Sequence, residues 1–146
     1  MKSILLSCVA LAGVAFSSAA EWPTDYAKAL AVAKAENKPV FINFTGSDWC
    51  GPCIAMHKRV FAKKEFEDYA QEHLVLLEID YPKAKPQSDE VKKQNERLKS
   101  QFEISRRGYP TIALIDAAGK IIGISTGYDD ESPADIIARI EKWEGH

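Results

Sequence analysis

Residues 40–53 read VFINFTGSDWCGPC, which is an apolar run, a short polar loop and two cysteines separated by Gly-Pro. The run from Val40 to Phe44 predicts a buried strand, because it is apolar almost throughout and ends at a Thr-Gly-Ser-Asp loop. Helical spacing of apolar residues extends from Ile54 to Tyr69, with a break predicted near Lys63-Lys64. The two cysteines therefore lie where a strand and its loop lead into a helix.

The position of Cys50 suits a reactive thiol. The first backbone N–H groups of a helix lack intrahelical partners and, together with the helix dipole, favour an anion. Because the thiolate is the nucleophile in disulfide exchange, this position raises the reactive fraction of the side chain. Cys53 lies one turn further into the helix, within reach of a mixed disulfide formed at Cys50. We therefore predict that Cys50 attacks and Cys53 resolves, with Pro52 in the first helical turn and Gly51 leaving room for a partner.

The use of cysteine also indicates chemistry. The chain has three cysteines, and Cys8 falls in an N-terminal segment that we expect to be removed. Structural disulfides in exported domains close long loops, whereas a bridge between residues three apart restrains the unfolded chain very little. The pair Cys50 and Cys53 is therefore predicted to be a redox-active disulfide.

Residues 1–20 have the layout of a secretory signal peptide, with Lys2, an apolar stretch from Ile4 to Phe16 and small residues up to Ala20. The apolar stretch spans about 13 residues, whereas a membrane-spanning helix needs about 20. We predict cleavage near Ala20 and one domain over residues 21–146. The location is then periplasmic or secreted, without a stable membrane anchor.

The charge balance gives no sign of a nucleic-acid partner. The formal net charge is −2, and removal of Lys2 with the leader leaves 18 basic against 21 acidic residues, a net charge of −3. Nucleic-acid-binding domains concentrate positive charge instead. The mature chain is long enough for one sizeable core, and we expect a monomer that uses no cofactor.

The other segments continue an alternation of helices and strands. Further helices are predicted over residues 25–36 and 89–102 and from Ser132 onward, and further strands over residues 74–80, 111–116 and 121–125. Thr24 is expected to cap the first helix. A helix joins the first two strands, which are therefore expected to be parallel, while a short turn makes the last two antiparallel. The order indicates an α/β fold with a central mixed sheet of about four strands and helices on both faces.

Three stretches resemble the thioredoxin superfamily: Trp49-Cys50-Gly51-Pro52-Cys53, Gly108-Tyr109-Pro110-Thr111, and the hairpin from Gly119 to Gly127. The leader and the loop before the cysteines are similar to those of bacterial extracytoplasmic thioredoxin-like proteins. The resemblance implies a thioredoxin-like fold and a thiol-disulfide oxidoreductase. It also implies a cis bond before Pro110, with Tyr109 and Pro110 forming a platform for the partner peptide. Trp49 either flanks this site with an apolar face or packs into the core.

The direction of electron flow stays open in the sequence. Gly-Pro is the spacer of reducing thioredoxins, which favours reduction of disulfides in partner proteins with electrons from an upstream thiol donor. Oxidation or isomerisation of exported proteins is the alternative. Redox poise depends on how strongly the reduced thiolate is stabilised, which spacing does not report.

Two other classes of function use the same residues. Cys50, Cys53 and His57 offer three ligands for zinc or copper. Structural zinc takes four ligands, however, and His73 and His146 lie far away in sequence, so we expect no metal. The second alternative is a structural domain whose short disulfide is inert.

Two positions near the cysteines differ from cytosolic thioredoxin, which carries there a buried aspartate and a buried lysine on neighbouring strands. Aligned on strand hydrophobicity, these positions fall on Asn43 and Leu76, neither of which is ionisable. The alignment therefore predicts that the buried ionisable pair is absent from this chain. It also leaves the proton of Cys53 to water or to Asp48, unless Asp48 is a plain loop residue.

Overall fold

The computed structural model describes residues 21–146. The predicted signal peptide and Cys8 lie outside the described residues. Among the described helices, none combines the length and the apolar character needed to cross a membrane.

Helices and strands alternate along the chain, as the sequence predicts. The helices are α1 (Tyr26–Glu36), α2 (Gly51–Met56), α3 (Lys64–His73), α4 (Asp89–Gln101), α5 (Ile104–Arg107) and α6 (Pro133–Glu144), with a π-helical turn (His57–Phe61) between α2 and α3. The strands are β1 (Val40–Thr45), β2 (Val75–Asp80), β3 (Thr111–Ile115) and β4 (Ile121–Thr126).

The strands form one mixed sheet in the order β2-β1-β3-β4. Strand β1 pairs parallel with β2 and antiparallel with β3, and β3 pairs antiparallel with β4. Both predicted pairings are confirmed, and so is the mixed α/β sheet. Because β1 is central, the loop that follows it emerges in the middle of the sheet edge, and this loop carries the cysteines.

Strand β1 is buried on both faces, which explains its nearly continuous apolar sequence. Ile42 and Phe44 belong to a core shared with α1 and α4, while Phe41 packs in a second core with residues of α3 and α6. Successive side chains of a strand point to opposite faces, so Asn43 lies on the same face as Phe41. That face carries the helix that begins with the cysteine motif.

The segment after the motif bends where the sequence predicts a break. Helix α2 continues directly into the π-helical turn, and Ala62 and Lys63 separate this turn from α3. Phe61, at the end of the turn, packs against Phe41 with ring centroids 5.8 Å apart. This contact fixes the helical segment against the sheet and therefore fixes the position of Cys53.

Two predictions about helices differ from the structure. Asp25, not Thr24, caps α1, because its side chain accepts a hydrogen bond from the backbone N–H of Lys28 at 3.0 Å. Helix α5 was not predicted, because four residues are too few to show a helical period. Its buried Ile104 nevertheless completes the core beneath α4.

Candidate active site

Cys50 is the N-cap of α2. Its backbone is extended, and its Sγ accepts a hydrogen bond from the backbone N–H of Cys53 at 3.3 Å. Gly51 and Pro52 form the first helical turn, where the missing N–H of proline leaves no bond unmade. In the reduced protein this position places the sulfur beside free N–H groups, which stabilise a thiolate.

Cys50 and Cys53 form a disulfide, with Cα atoms 5.3 Å apart. The two side chains are only 5% and 3% exposed, whereas Gly51 and Pro52 between them are exposed. A partner therefore reaches the sulfurs over the Gly-Pro turn. A cysteine pair that can open and close beside an exposed turn is suited to disulfide exchange.

Trp49 flanks the pair and is held firmly in place. Its indole Nε1 donates to the backbone carbonyl of Tyr81 at 2.7 Å, yet 38% of the side chain is exposed. The ring also lies against Gly46, where any side chain would overlap the indole. The sequence leaves open whether Trp49 flanks the site or packs into the core; in the structure it is exposed and belongs to neither hydrophobic core.

The second motif meets the first across this indole. The Tyr109–Pro110 peptide bond is cis, and Pro110 is buried. The ring of Tyr109 lies edge-on to Trp49, with centroids 5.4 Å apart. Thr111 secures the turn by donating from Oγ1 to the carbonyl of Gly108 at 2.8 Å. The fold thus brings together the two stretches that carried the resemblance.

Asp48 has a structural role in the loop. Its carboxylate accepts hydrogen bonds from the backbone N–H groups of Lys83, Ala84 and Lys85, at 2.9, 2.7 and 3.1 Å. These bonds, that of Lys83 first, hold the pKa of Asp48 below its usual value. A carboxylate so occupied is a poor proton acceptor, which favours the prediction of a plain loop residue.

A cavity of about 670 Å³ lies behind Cys53. Asn43 and Glu78 line it from the sheet. Burial raises the pKa of Glu78, the nearby Asp80 raises it further, and Lys85 opposes them. Sequence analysis missed Glu78, although its place between apolar residues of β2 was a visible signal.

The two aligned positions, Asn43 and Leu76, are not directly opposite each other in the sheet. The parallel register places Leu76 opposite Phe41 and places Glu78 opposite Asn43. Leu76 and Glu78 share one face of β2 because they are two residues apart. Alignment on hydrophobicity chose the apolar member of that pair, whereas the residue beside Asn43 is ionisable.

The three residues considered as metal ligands, Cys50, Cys53 and His57, differ in their surroundings. His57 is an exposed residue of the helical segment and lines the same cavity as Cys53, while Cys50 and Cys53 are bonded to each other. Within residues 21–146, no three His, Cys, Asp or Glu side chains are arranged to hold a metal ion.

A mixed sheet with a Cys-Gly-Pro-Cys disulfide at the start of a central helix defines a thiol-disulfide oxidoreductase. Comparison with known proteins agrees. Residues 21–117 match the family model described as thioredoxin-like. The chain belongs to the thioredoxin-like family.

The most informative relatives carry names of the same class. The chain is 34% identical over 121 residues to "Disulfide bond reductase DsbH" of Chlamydia pneumoniae, covering 83% of this chain and 70% of that protein. A solved structure, "DsbH Oxidoreductase", superposes with a TM-score of 0.77 at 33% identity, over 84% of this chain and 83% of the other. "Thioredoxin-related protein DsbJ" of Chlamydia pneumoniae is 39% identical over 84 residues, which are 58% of this chain but 24% of that protein.

Proposed function

We propose that this protein is an exported protein-disulfide reductase in which Cys50 is the attacking thiol and Cys53 is the resolving thiol. The observation that carries the proposal is the position of Cys50 Sγ at the first turn of α2, bonded to Cys53 and accepting its N–H. In the reduced state that position favours the thiolate of Cys50, whereas Cys53 lies within α2, one turn further along the chain.

The reaction proceeds by two exchanges. The thiolate of Cys50 attacks one sulfur of a partner disulfide, a mixed disulfide forms, and the other partner sulfur leaves as a thiolate. The thiolate of Cys53 then attacks the Sγ of Cys50, which closes the internal disulfide and releases the second partner sulfur. Two electrons pass to the partner, and an upstream dithiol must return two electrons to the pair.

Partner binding is assigned to the surface around the sulfurs. Gly51 and Pro52 are the exposed turn over which a partner approaches, and Trp49 and Tyr109 form an aromatic wall beside it. Pro110 lies beneath that wall and completes the platform. Extended peptides add contacts along such a wall without requiring a matching fold.

The direction of electron flow and the cellular location of the protein are supported by different observations. The Gly-Pro spacer and the reductase named among the relatives both favour reduction. The family match begins at residue 21, immediately after the proposed cleavage at Ala20, which supports a removed leader followed by one domain. We therefore assign the mature protein to the periplasm or the secreted fraction.

Multiple-turnover reduction of a protein disulfide by a small dithiol tests the assignment. The wild-type mature protein should accelerate the reaction, and Cys50→Ser should abolish the acceleration. Cys53→Ser, reduced and then freed of the dithiol before it meets the partner, should attack once and stop as a mixed disulfide that appears as an added mass on a non-reducing gel. Full multiple-turnover activity in either variant would refute the assigned roles.

The direction is tested in the native compartment. Cys53→Ser should trap partner proteins there, and the partners should carry disulfides that accumulate in a strain lacking this protein. If the partners instead lose their disulfides in that strain, the protein is an oxidase or isomerase. Absence of the trapped species from the periplasmic and secreted fractions would refute the location.

A further inference from the structure

A groove of about 630 Å³ runs along the wall of the active site away from the sulfurs. Its aromatic floor is formed by Trp49, Tyr109 and Tyr81, whose successive ring centroids are each 5.4 Å apart. At 3.3–3.6 Å per residue, this row matches about three residues of an extended chain. Trp49 adjoins Cys50 and Tyr109 adjoins Pro110, so the groove continues directly from the redox site.

Four lysines line the groove: Lys83, Lys85, Lys92 and Lys99. Among residues 21–146, Glu96 is its one acidic lining residue. Glu96 already pairs with Lys99 at 3.2 Å. The chain as a whole carries more acidic than basic residues, 21 against 19, so this concentration of positive charge is local. The groove is therefore complementary to an acidic ligand.

Two of the four lysine ammonium groups lie over rings of the aromatic floor. Lys83 Nζ lies 4.4 Å from the centroid of Trp49, and Lys99 Nζ lies 4.9 Å from that of Tyr81. The loop that carries Lys83 is fixed by the three bonds to Asp48, and Tyr81 is fixed by its hydroxyl donating to the carbonyl of Asn95 at 2.8 Å. Charges that are already ordered lose less conformational entropy when a ligand binds.

Acidic groups close to Lys85 and to Lys92 offset part of the positive charge of the groove. Lys85 Nζ donates to Ser47 Oγ at 3.3 Å, and its charge also acts on Asp48 and Glu78. Lys92 lies 3.9 Å from Asp89. Lys83, by contrast, enters no ion pair within the described part of the chain. The part of the groove where Lys83 lies over Trp49 is therefore the part most complementary to an anion.

We propose that the groove binds an extended acidic segment next to the disulfide cysteine of the partner protein. This inference rests on the proposed function and deepens it by naming the substrate class. Carboxylates of the segment contact the lysine ammonium groups, while its backbone and apolar atoms lie on the aromatic row. Charge complementarity of this kind acts mainly on the association rate and weakens with salt.

Symmetric disulfide-linked dimers of one short peptide provide the probe. Three dimers differ only in the residues flanking the cysteine, which are glutamates, glutamines or lysines. For each dimer, we measure the second-order rate constant with which it oxidises the reduced mature protein. This value is divided by the rate constant for the reaction of the same dimer with dithiothreitol, which removes differences in intrinsic sulfur reactivity. We expect a normalised rate about tenfold higher for the acidic than for the neutral dimer at low salt, approaching equality near 1 M salt.

A matched pair of variants separates the groove from net charge. Lys83→Gln/Lys92→Gln should reduce the acidic preference at least threefold. Lys63→Gln/Lys142→Gln removes the same charge at exposed positions outside the groove lining and should keep the preference within twofold. Equal losses in both variants would overturn the proposal, because only net charge would then matter.

The outcomes also distinguish the inference from the proposed function. If the wild type reduces all three dimers at the same normalised rate, the acidic preference is wrong and the reductase stands. A glutamine dimer that reacts as fast as the glutamate dimer likewise overturns the inference, because the negative charge then makes no contribution. If no dimer oxidises the protein, the proposed reductase function itself fails.

Discussion

Asn43 and Glu78 lie directly opposite each other across the parallel strands β1 and β2, and both face the cavity lined by Cys53. Asn43 is 3% exposed, and within residues 21–146 its Oδ1 has no hydrogen-bond partner. A half-buried carboxyl and a buried amide oxygen thus lie side by side. Two acceptor groups so close make the charge state of Glu78 important for stability.

Glu78→Gln should stabilise the protein at pH 8. Burial and Asp80 raise the pKa of Glu78, so the folded protein holds a proton at a pH where the unfolded chain has lost it. The stability contributed by this group is therefore present at low pH and lost as the pH rises from the ordinary value through the raised one. We expect a gain of about 0.5–1 kcal/mol at pH 8 and little change at pH 4, measured by urea unfolding.

Glu141→Gln is the matched control, because it neutralises an exposed glutamate on α6. Its effect should not follow the pH dependence of Glu78→Gln. Equal unfolding free energies for wild type and Glu78→Gln at both pH values would contradict the burial of this carboxyl.

Asn43→Asp should destabilise the fold, and increasingly so at higher pH. The new carboxyl would be nearly fully buried beside Glu78, so desolvation and the neighbouring charge both raise its pKa. We expect a loss of about 1–3 kcal/mol at pH 8 that diminishes toward pH 4. The double variant Asn43→Asp/Glu78→Gln should recover part of the loss, because it removes the neighbouring carboxylate.

Strand pairing shows where sequence analysis reached its limit. The apolar run of β1 and the alternation in β2 predicted both strands and their parallel pairing, because each pattern follows burial. The register is a different matter. Leu76 and Glu78 share one face, and only the three-dimensional pairing decides which of them lies beside Asn43.

The active site was predictable to a similar extent. Cys50 and Cys53 were visible because a strand, a loop and a helix frame them in sequence. Tyr81 is not visible in the sequence, since its part in the aromatic floor of the groove depends on its contacts with Trp49 and Tyr109, which lie 32 and 28 residues away. Long-range contacts of this kind leave no local period in the sequence.

Asp48→Ala should loosen the loop that carries Lys83. Three backbone N–H groups lose their acceptor, so we expect the amides of Lys83, Ala84 and Lys85 to exchange on the order of tenfold faster. Asp48→Asn keeps one acceptor oxygen and should give an intermediate rate. Unchanged exchange in Asp48→Ala would show that other contacts hold the loop.

The three hydrogen bonds to the Asp48 carboxylate make the stability of the loop depend on pH, with a sign opposite to that of Glu78. The pKa of Asp48 lies below its ordinary value, so the bonds are intact above the ordinary value and are lost as the pH falls through the lowered one. Protection of these three amides in the wild type should therefore persist at pH 4 and decline in stronger acid. A decline that begins at pH 6 would assign the protection to another group.

Gly46→Ala should displace the indole of Trp49, because a Cβ at this position would overlap the ring. The indole is also tied to the carbonyl of Tyr81, so it cannot move without breaking that bond. Overpacking of this kind costs about 1–3 kcal/mol, and the Nε1–H resonance of Trp49 should shift upfield as its hydrogen bond lengthens. Gly51→Ala is the matched control, since no atom lies within 4 Å of the added Cβ, and it should leave both the unfolding free energy and that resonance nearly unchanged. If the two alanine variants unfold at the same urea concentration and the Trp49 resonance stays in place, the close contact between Gly46 and the indole does not exist in solution.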